Sequence, residues 1–336
     1  VTTTDTNLPD FATRMVNLAS PRLGTVAVRA SDEFFAAKER MLADSEPVFI
    51  ADKYDDHGKW MDGWESRRRR DGGEDWCLIR LGVAGMIHGV DIDTRHFTGN
   101  YPPAASIEAC AGEAEPGPDA VWTRIVAPTA LGPGARHFVA VAEQGPWNWV
   151  RVTMHPDGGI ARLRLYGQPV RDWSTAKPDE EVELSALRNG GRVVAYNNAH
   201  YGNVWALLTE GRGRDMGDGW ETRRRREPGN DWLIVALGTP GVITRIEVDT
   251  AHFKGNFPDR CSLQAALVKD GLPDSAVVTQ AMFWPGLVDE RKLRADSIHG
   301  FDGADIAALG PVSHVKLNIH PDGGVSRLRI FGRPAG

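Results

Sequence analysis

Apolar and polar residues alternate with a period of two along much of this chain, the spacing that sends successive side chains to opposite faces of a strand. In Gly89-Val90-Asp91-Ile92-Asp93, and again in Arg245-Ile246-Glu247-Val248-Asp249, the aliphatic side chains point one way and the carboxylates the other. Half-buried strands with their acids on the outward face are expected there. Val150–Met154 and Ile160–Tyr166 are two alternating runs separated by His155-Pro156-Asp157-Gly158-Gly159, whose turn residues predict a hairpin. His314–Ile319 with Val325–Phe331 predicts a second one. A helix is expected over Asp32–Ala43, with Ser31 as N-cap and Ala36-Ala37-Lys38-Glu39-Arg40 as good helix formers.

The pattern is written twice. Asp62-Gly63-Trp64-Glu65-Ser66 and the four arginines Arg67–Arg70 return 156 positions later as Asp218-Gly219-Trp220-Glu221-Thr222 and Arg223–Arg226, with 11 of 15 residues identical between 62–76 and 218–232. The same offset relates Asp93 to Pro102 with Asp249 to Pro258, while the block from His155 to Gly167 recurs from His320 to Gly332 at an offset of 165, so about nine residues are inserted between. A period this long marks a duplicated domain rather than a solenoid. The reading is a first repeat over 1–168, a linker over 169–182 containing Pro169, Pro178 and Asp179-Glu180-Glu181, and a second repeat over 183–336. Many short strands with one helix per copy predict an all-β protein of two tandem antiparallel β-sandwich or jelly-roll repeats.

Composition narrows the chemistry. Gly 37 and Pro 21 among 336 residues demand frequent turns, in keeping with short strands. A formal net charge of -6 argues against nucleic acid as a partner, which needs a basic excess. Cys77, Cys110 and Cys261 are odd in number with no C-x-x-C spacing, so neither a disulfide framework nor a zinc site is suggested and a cytoplasmic setting is expected. No stretch approaches the ~20 apolar residues of a membrane span. The arginine runs carry their own counter-charge: four arginines against five acids over 62–76, and four against four over 218–232. Structural ion pairing and bidentate capture of an anionic ligand are both open to them.

Two histidine positions recur, His96/His252 and His155/His320, each at a strand end beside an acid or amide: Asp93 and Asn100 near His96, Asp157 near His155. Strand ends are where sandwiches carry binding loops. Acid–base chemistry fits such groups, whereas no tight His-Glu-x-x-His spacing is present, so the sequence identifies no cofactor and leaves a divalent metal open. Trp64, Trp76, Trp220 and Trp232 read as core or core-rim residues, because Trp buries the most area.

At these residues the chain resembles a known family. Met61 to Arg68, Asp75 to Gly82, and Gly89 to Pro103, with their second-copy counterparts, are similar to the repeats of allantoicase in the same order and with the same duplication. The resemblance implies two jelly-roll modules of the galactose-binding-like kind and hydrolysis of allantoate to ureidoglycolate and urea in purine and allantoin breakdown. It also implies a homo-oligomer acting on a small-molecule substrate, while the charge and the lack of a long apolar stretch leave no nucleic-acid or membrane partner expected. Loss of urea from the tetrahedral carbon of allantoate needs one group to protonate the departing nitrogen and one to deprotonate water. Glu65, Asp93 and His96 are the candidates, with Glu221, Asp249 and His252 as counterparts. Arg67 or Arg223 would hold the substrate carboxylate, and Asp62, Asn100, His155, Asp218, Asn256 and His320 would line the substrate. Arg80, His88, Arg95 and Glu108 of the first copy become Ala236, Thr244, Ala251 and Gln264 in the second, which favours a first-repeat or shared site. The competing readings are a tandem carbohydrate-binding jelly roll and a related hydrolase acting on ureidoglycolate.

Overall fold

In the computed structural model, which describes residues 8–177 and 179–335, the chain divides into two units, Val1–Val170 and Arg171–Gly336. The first opens with α1 (Asp10–Arg14), β1 (Val16–Asn17), β2 (Val26–Ala30) and a small hairpin of β3 (Tyr54–Asp55) and β4 (Gly58–Lys59). It continues through β5 (Trp64–Glu65), β6 (Asp75–Asp93), β7 (Ala104–Cys110) and β8 (Thr123–Ala130). It closes with β9 (Arg136–Ala140), β10 (Trp147–His155), β11 (Gly159–Ile160) and β12 (Arg162–Pro169).

The 19-residue β6 organises the unit because its two halves serve different neighbours. Asp75–Arg80 pairs with β10, and Cys77–Arg80 with β2, whereas Gly85–Asp93 pairs with β12 and Gly89–Asp93 with β9. One strand thus runs through both layers of an antiparallel β-sandwich, with β7 and β8 extending one layer and β1 the other. Cys77, Ile79, Ile87, Val90 and Ile92 of β6 are fully buried, as are Val150, Val152 and Met154 of β10 and Ile107 of β7. Each fully buried aliphatic side chain of this kind contributes about 1.5–3 kcal/mol of transfer free energy.

The second unit repeats the plan with β13 (Val182–Glu183), β14 (Arg192–Tyr196), β15 (Tyr201–Gly202), β16 (Trp220–Glu221), β17 (Asp231–Asp249) and β18 (Arg260–Ala266). After α2 (Asp274–Gln280) come β19 (Gly286–Lys292), β20 (Ile298–Asp302), β21 (Val312–His320), β22 (Gly324–Val325) and β23 (Arg327–Pro334). Its 19-residue β17 is divided as β6 is. The extra residues seen in the sequence offsets lie mainly in the connection 267–285, which carries α2 where the first unit has 111–122. Val277 and Ala281 of that segment bury against Ile234 and Trp284. No helix among the described residues is long and apolar enough to cross a membrane.

Three local expectations are overturned. The two runs around His155-Pro156-Asp157-Gly158-Gly159 do not form a hairpin: β10 and β12 each pair with β6, in opposite layers. The intervening Gly159–Ile160 forms its own pairing with Trp64–Glu65, and the second unit does the same with β22 and β16. Local turn residues could not report that the partner of both runs was a third strand. The helix over Asp32–Ala43 shrinks to a 3-10 turn at Lys38–Leu42. Its first half is spent on tertiary bonds: Asp32 accepts from the Arg67 and Phe34 N–H groups, and Ala36 exchanges both backbone bonds with Glu65. Ser31, expected as the cap, instead donates to Asp75 and accepts from the Trp76 N–H. Finally, Asp91 and Asp93 do lie opposite the aliphatic face, but they are completely buried. Arg136 and Arg164 cover Asp91, and Arg95 grips Asp93 through two guanidinium nitrogens.

Candidate active site

Glu65 lines a polar cavity of the first unit. The short β5 strand that carries it is held on both sides, by Ala36 and by Gly159 of β11, while the fully buried Trp64 beside it donates its indole N–H to the Asp32 carbonyl at 2.8 Å. The carboxylate is 9 % exposed and accepts from the Asn100 side-chain amide at 2.6 Å. Asn100 is itself fixed, because its backbone carbonyl accepts from the Gly159 N–H at 2.7 Å. The opposite wall is the loop after β10, Pro156-Asp157-Gly158. Gly158 has φ +144, and a Cβ there would lie 2.5 Å from the Pro102 nitrogen, so only glycine lets this loop close against 100–102. Together Phe35, Glu65, Ser66, Arg68, Asn100 and the 156–158 loop enclose about 330 Å³.

Burial pushes the Glu65 carboxyl above the usual range, against the opposing pull of the Asn100 amide. A buried carboxyl with one hydrogen bond, opening on a cavity, is chemically disposed to hold and deliver a proton. The arginine run beside it is not a uniform basic patch. Arg67 is clamped by Asp32, Nε to Oδ2 at 2.7 Å, and Arg69 is clamped by Asp71 and the buried Asp75. The Arg69 N–H also donates to Asp157 at 2.8 Å, which ties the run to the cavity loop. Arg68, between the two clamped residues, lines the cavity and makes no ion pair among the described residues.

The other sequence-derived candidates fall into separate places. Asp93 is completely buried in the ion-pair network of Arg95 and Arg164, and Asp249 is paired with Arg212. His96 and His252 both sit at left-handed backbone positions, φ 72 and φ 69, and each donates its Nε2–H to a loop carbonyl, of Pro47 at 3.0 Å and of Gly213 at 2.6 Å. Neither Asp93 nor His96 lines the cavity with Glu65. Asp62 accepts from the completely buried Arg162 at 2.8 Å, and Asp218 from Arg327 at 3.0 Å, so these two acids fasten loops onto β12 and β23. His155 is held at both nitrogens, by Glu74 at 2.6 Å and Ser106 at 2.9 Å, directly before the cavity wall. His320 meets Ser262 at 3.3 Å, with burial lowering its pKa against the nearby Glu290. In the second unit Asn256 donates to Glu221 at 2.5 Å, Thr222 N donates to Gly323 O, and the Arg225 N–H donates to Asp322, so the backbone arrangement recurs. The Arg223 backbone N–H donates to Asn198, the residue at the Asp32 position, but the Arg223 guanidinium pairs with Glu227 instead.

Sequence reasoning missed Arg68, Asp157 and Phe35 as cavity residues, and it missed a third duplicated histidine pair. His137 and His299 each donate Nδ1–H to the neighbouring long strand, to Ile92 and Val248, and each accept a loop N–H at Nε2. Their spacing of 162 falls at neither repeat offset, because part of the insertion precedes them. Among the described residues no group of three or more His, Cys, Asp or Glu side chains is arranged to hold a metal ion.

Two β-sandwich units that repeat one Glu–Asn–Gly constellation at their strand ends define a duplicated β-sandwich protein. The allantoicase repeat matches residues 16–170 and 182–335. The chain is 61 % identical over 332 residues to the probable allantoicase 2 of Burkholderia pseudomallei strain K96243, covering 98 % of both, and 53 % identical over 331 residues to the probable allantoicase of Rhizobium meliloti strain 1021, covering 98 % and 96 %. The crystal structure of allantoicase from Saccharomyces cerevisiae superposes with a TM-score of 0.76 at 37 % identity, over 94 % of this chain and 92 % of that one. The chain belongs to the allantoicase family.

Proposed function

We propose that the cavity at Glu65 is where this chain hydrolyses allantoate to ureidoglycolate and urea. As a member of the allantoicase family the chain is a hydrolase of carbon–nitrogen bonds in linear amidines. The reaction exchanges one C–N bond of the central carbon for a C–O bond, so the departing urea nitrogen must gain a proton and water must lose one. Glu65, whose carboxyl burial raises, supplies the proton. Asp157, the other carboxylate lining the cavity, receives the proton of the attacking water. Asn100 aims Glu65 and offers its amide to a ureido oxygen. The neighbouring ureido nitrogen stabilises the carbon as the first C–N bond opens, so the residues have only to move protons and hold the substrate.

The observation that carries this reading is the single-hydrogen-bonded, buried Glu65 facing a cavity large enough for a small ureide. Urea release from allantoate by the purified protein, compared with Glu65→Gln, tests it. Loss of turnover in the variant supports the assignment, and undiminished turnover removes Glu65 from the chemistry. Three unpaired buried cysteines support a reducing, cytoplasmic setting. The homo-oligomer that the resemblance implies is checked by sedimentation.

A further inference from the structure

We infer that Arg68 is the residue that selects a substrate by its carboxylate, so that the cavity accepts ureides bearing a free carboxylate and discriminates against neutral ones. This rests on placing the reaction at Glu65, and it is carried by a contrast inside the arginine run. Arg67 is held by the Asp32 carboxylate through Nε and Nη2, and its backbone N–H is bound to the same side chain. Arg69 is held by Asp71 and Asp75 through its side chain and by Asp157 through its backbone. Both neighbours have their counter-charge and are fixed in place. The residue between them is therefore presented by a backbone fastened on either side, yet its own guanidinium has no carboxylate partner among the described residues. It is the one arginine of the run that lines the cavity shared with Glu65 and Asn100.

The chemistry suits a carboxylate rather than a ureido group. A guanidinium presents paired donors in a planar fork, which matches the two oxygens of a carboxylate, whereas a neutral urea oxygen takes fewer and weaker bonds from it. The other titratable side chains lining the cavity are Glu65, Asp157 and the phenol of Tyr101, so Arg68 is its one cationic group among the described residues. Burial favours the neutral form of Glu65, which lessens its repulsion of an incoming anion. With its carboxylate held by Arg68, the substrate's central carbon is directed towards Glu65 and the Asp157 loop. Arg67, the residue that the sequence alone favoured for this role, is already satisfied.

The experiment measures urea release by the full-length protein from allantoate and from its neutral carboxamide analogue. Arg68→Met is compared with Arg68→Lys and with Arg70→Met, which removes the same charge from an exposed position of the run outside the cavity. Arg68→Met is expected to raise KM for allantoate roughly tenfold to a hundredfold, the size of a lost charge-assisted pair, while leaving kinetics with the carboxamide unchanged. Arg68→Lys should recover part of the loss, because it restores charge without the fork. Arg70→Met should behave as wild type, and the melting temperature of Arg68→Met should not move. Unchanged allantoate kinetics in Arg68→Met, or an equal rise in KM in Arg70→Met, overturns the inference. A Glu65→Gln protein with full turnover removes the cavity reading as well, whereas an inactive Glu65→Gln beside an unaffected Arg68→Met removes only Arg68.

Discussion

Glu65 and Asn100, 35 residues apart in the chain, meet at 2.6 Å, and the same pair recurs in the second unit as Glu221 and Asn256 at 2.5 Å. In both units the asparagine backbone carbonyl also accepts from the first glycine of the short strand that follows β10 or β21, Gly159 of β11 at 2.7 Å and Gly324 of β22 at 2.8 Å. One residue therefore joins the carboxylate, through its side-chain amide, to the cavity wall, through its backbone carbonyl. The first consequence concerns pH. Burial raises the Glu65 carboxyl and the Asn100 amide opposes that rise. A reaction needing protonated Glu65 loses rate as pH climbs through the raised pKa. Asn100→Ala removes the opposing bond, so the alkaline limb of the kcat profile should move to higher pH even as turnover falls; a limb that stays put, or moves down, removes Glu65 as the proton donor. Glu65→Gln should lower kcat by about 10²–10⁴, the usual range for a general acid.

Asp62 should matter to folding rather than to substrate affinity. Its partner Arg162 is completely buried and also donates to the carbonyls of Ser45, Asp62 and Ala161. Removing the acid leaves a buried charge short of its partner, a loss of about 3–5 kcal/mol. Urea denaturation of Asp62→Ala should show a much lower midpoint, with KM for allantoate near that of wild type where the protein remains folded. A stable variant with a strongly raised KM would return Asp62 to the substrate.

His96 holds a left-handed turn, φ 72, and is tied to the Pro47 carbonyl. Asn tolerates that backbone region well and β-branched residues do not. We expect His96→Asn to keep turnover within about a factor of two, and His96→Val to lose stability by roughly 1–3 kcal/mol from backbone strain. An inactive but stably folded His96→Asn would contradict the placement of this histidine outside the chemistry.

A stability effect is expected from Glu183, far along the sequence from the cavity residues. Burial pushes its carboxyl from 4.5 up to about 7, with Arg329 and Arg245 opposing the rise and Glu210 and Glu247 adding to it, and its Oε1 has no hydrogen-bond partner. The folded-state pKa is raised, so the favourable contribution of the protonated form is complete below about 4 and is lost as pH rises through about 7. The shift corresponds to about 3 kcal/mol. Glu183→Gln should therefore raise the melting temperature at pH 8 and change it little at pH 4; equal effects at both would show that ionisation is not the cause.

Several features were legible from residue order alone. Duplication needs only side-chain identity at a constant offset, and strands need only the period-two alternation that Val90, Ile92, Ile246 and Val248 display. Both are local or self-referential properties. The β-sandwich class follows from them, together with Glu65 and Asn100 as members of a repeated polar set. The third histidine pair was hidden because the insertion that contains α2 displaces His299 from either offset.

What the sequence by itself determined is thus the doubled β architecture and the set of repeated polar residues. Only the tertiary structure decided which of them are used up. Asp93 and Asp62 look like free acids in the sequence, but arginines 2 and 100 residues away neutralise them. Arg67, Arg68 and Arg69 are identical in kind and adjacent, and are told apart solely by Asp32, Asp71 and Asp75, brought beside two of the three. Ser31 to Ala37 has helix formers, yet it gives its backbone bonds to Glu65 and its side chains to Arg67 and Asp75. The reason is the same in each case: the energy of a buried polar group depends on the partner that folding brings within about 3 Å, and that partner is specified by sheet register, not by neighbours along the chain.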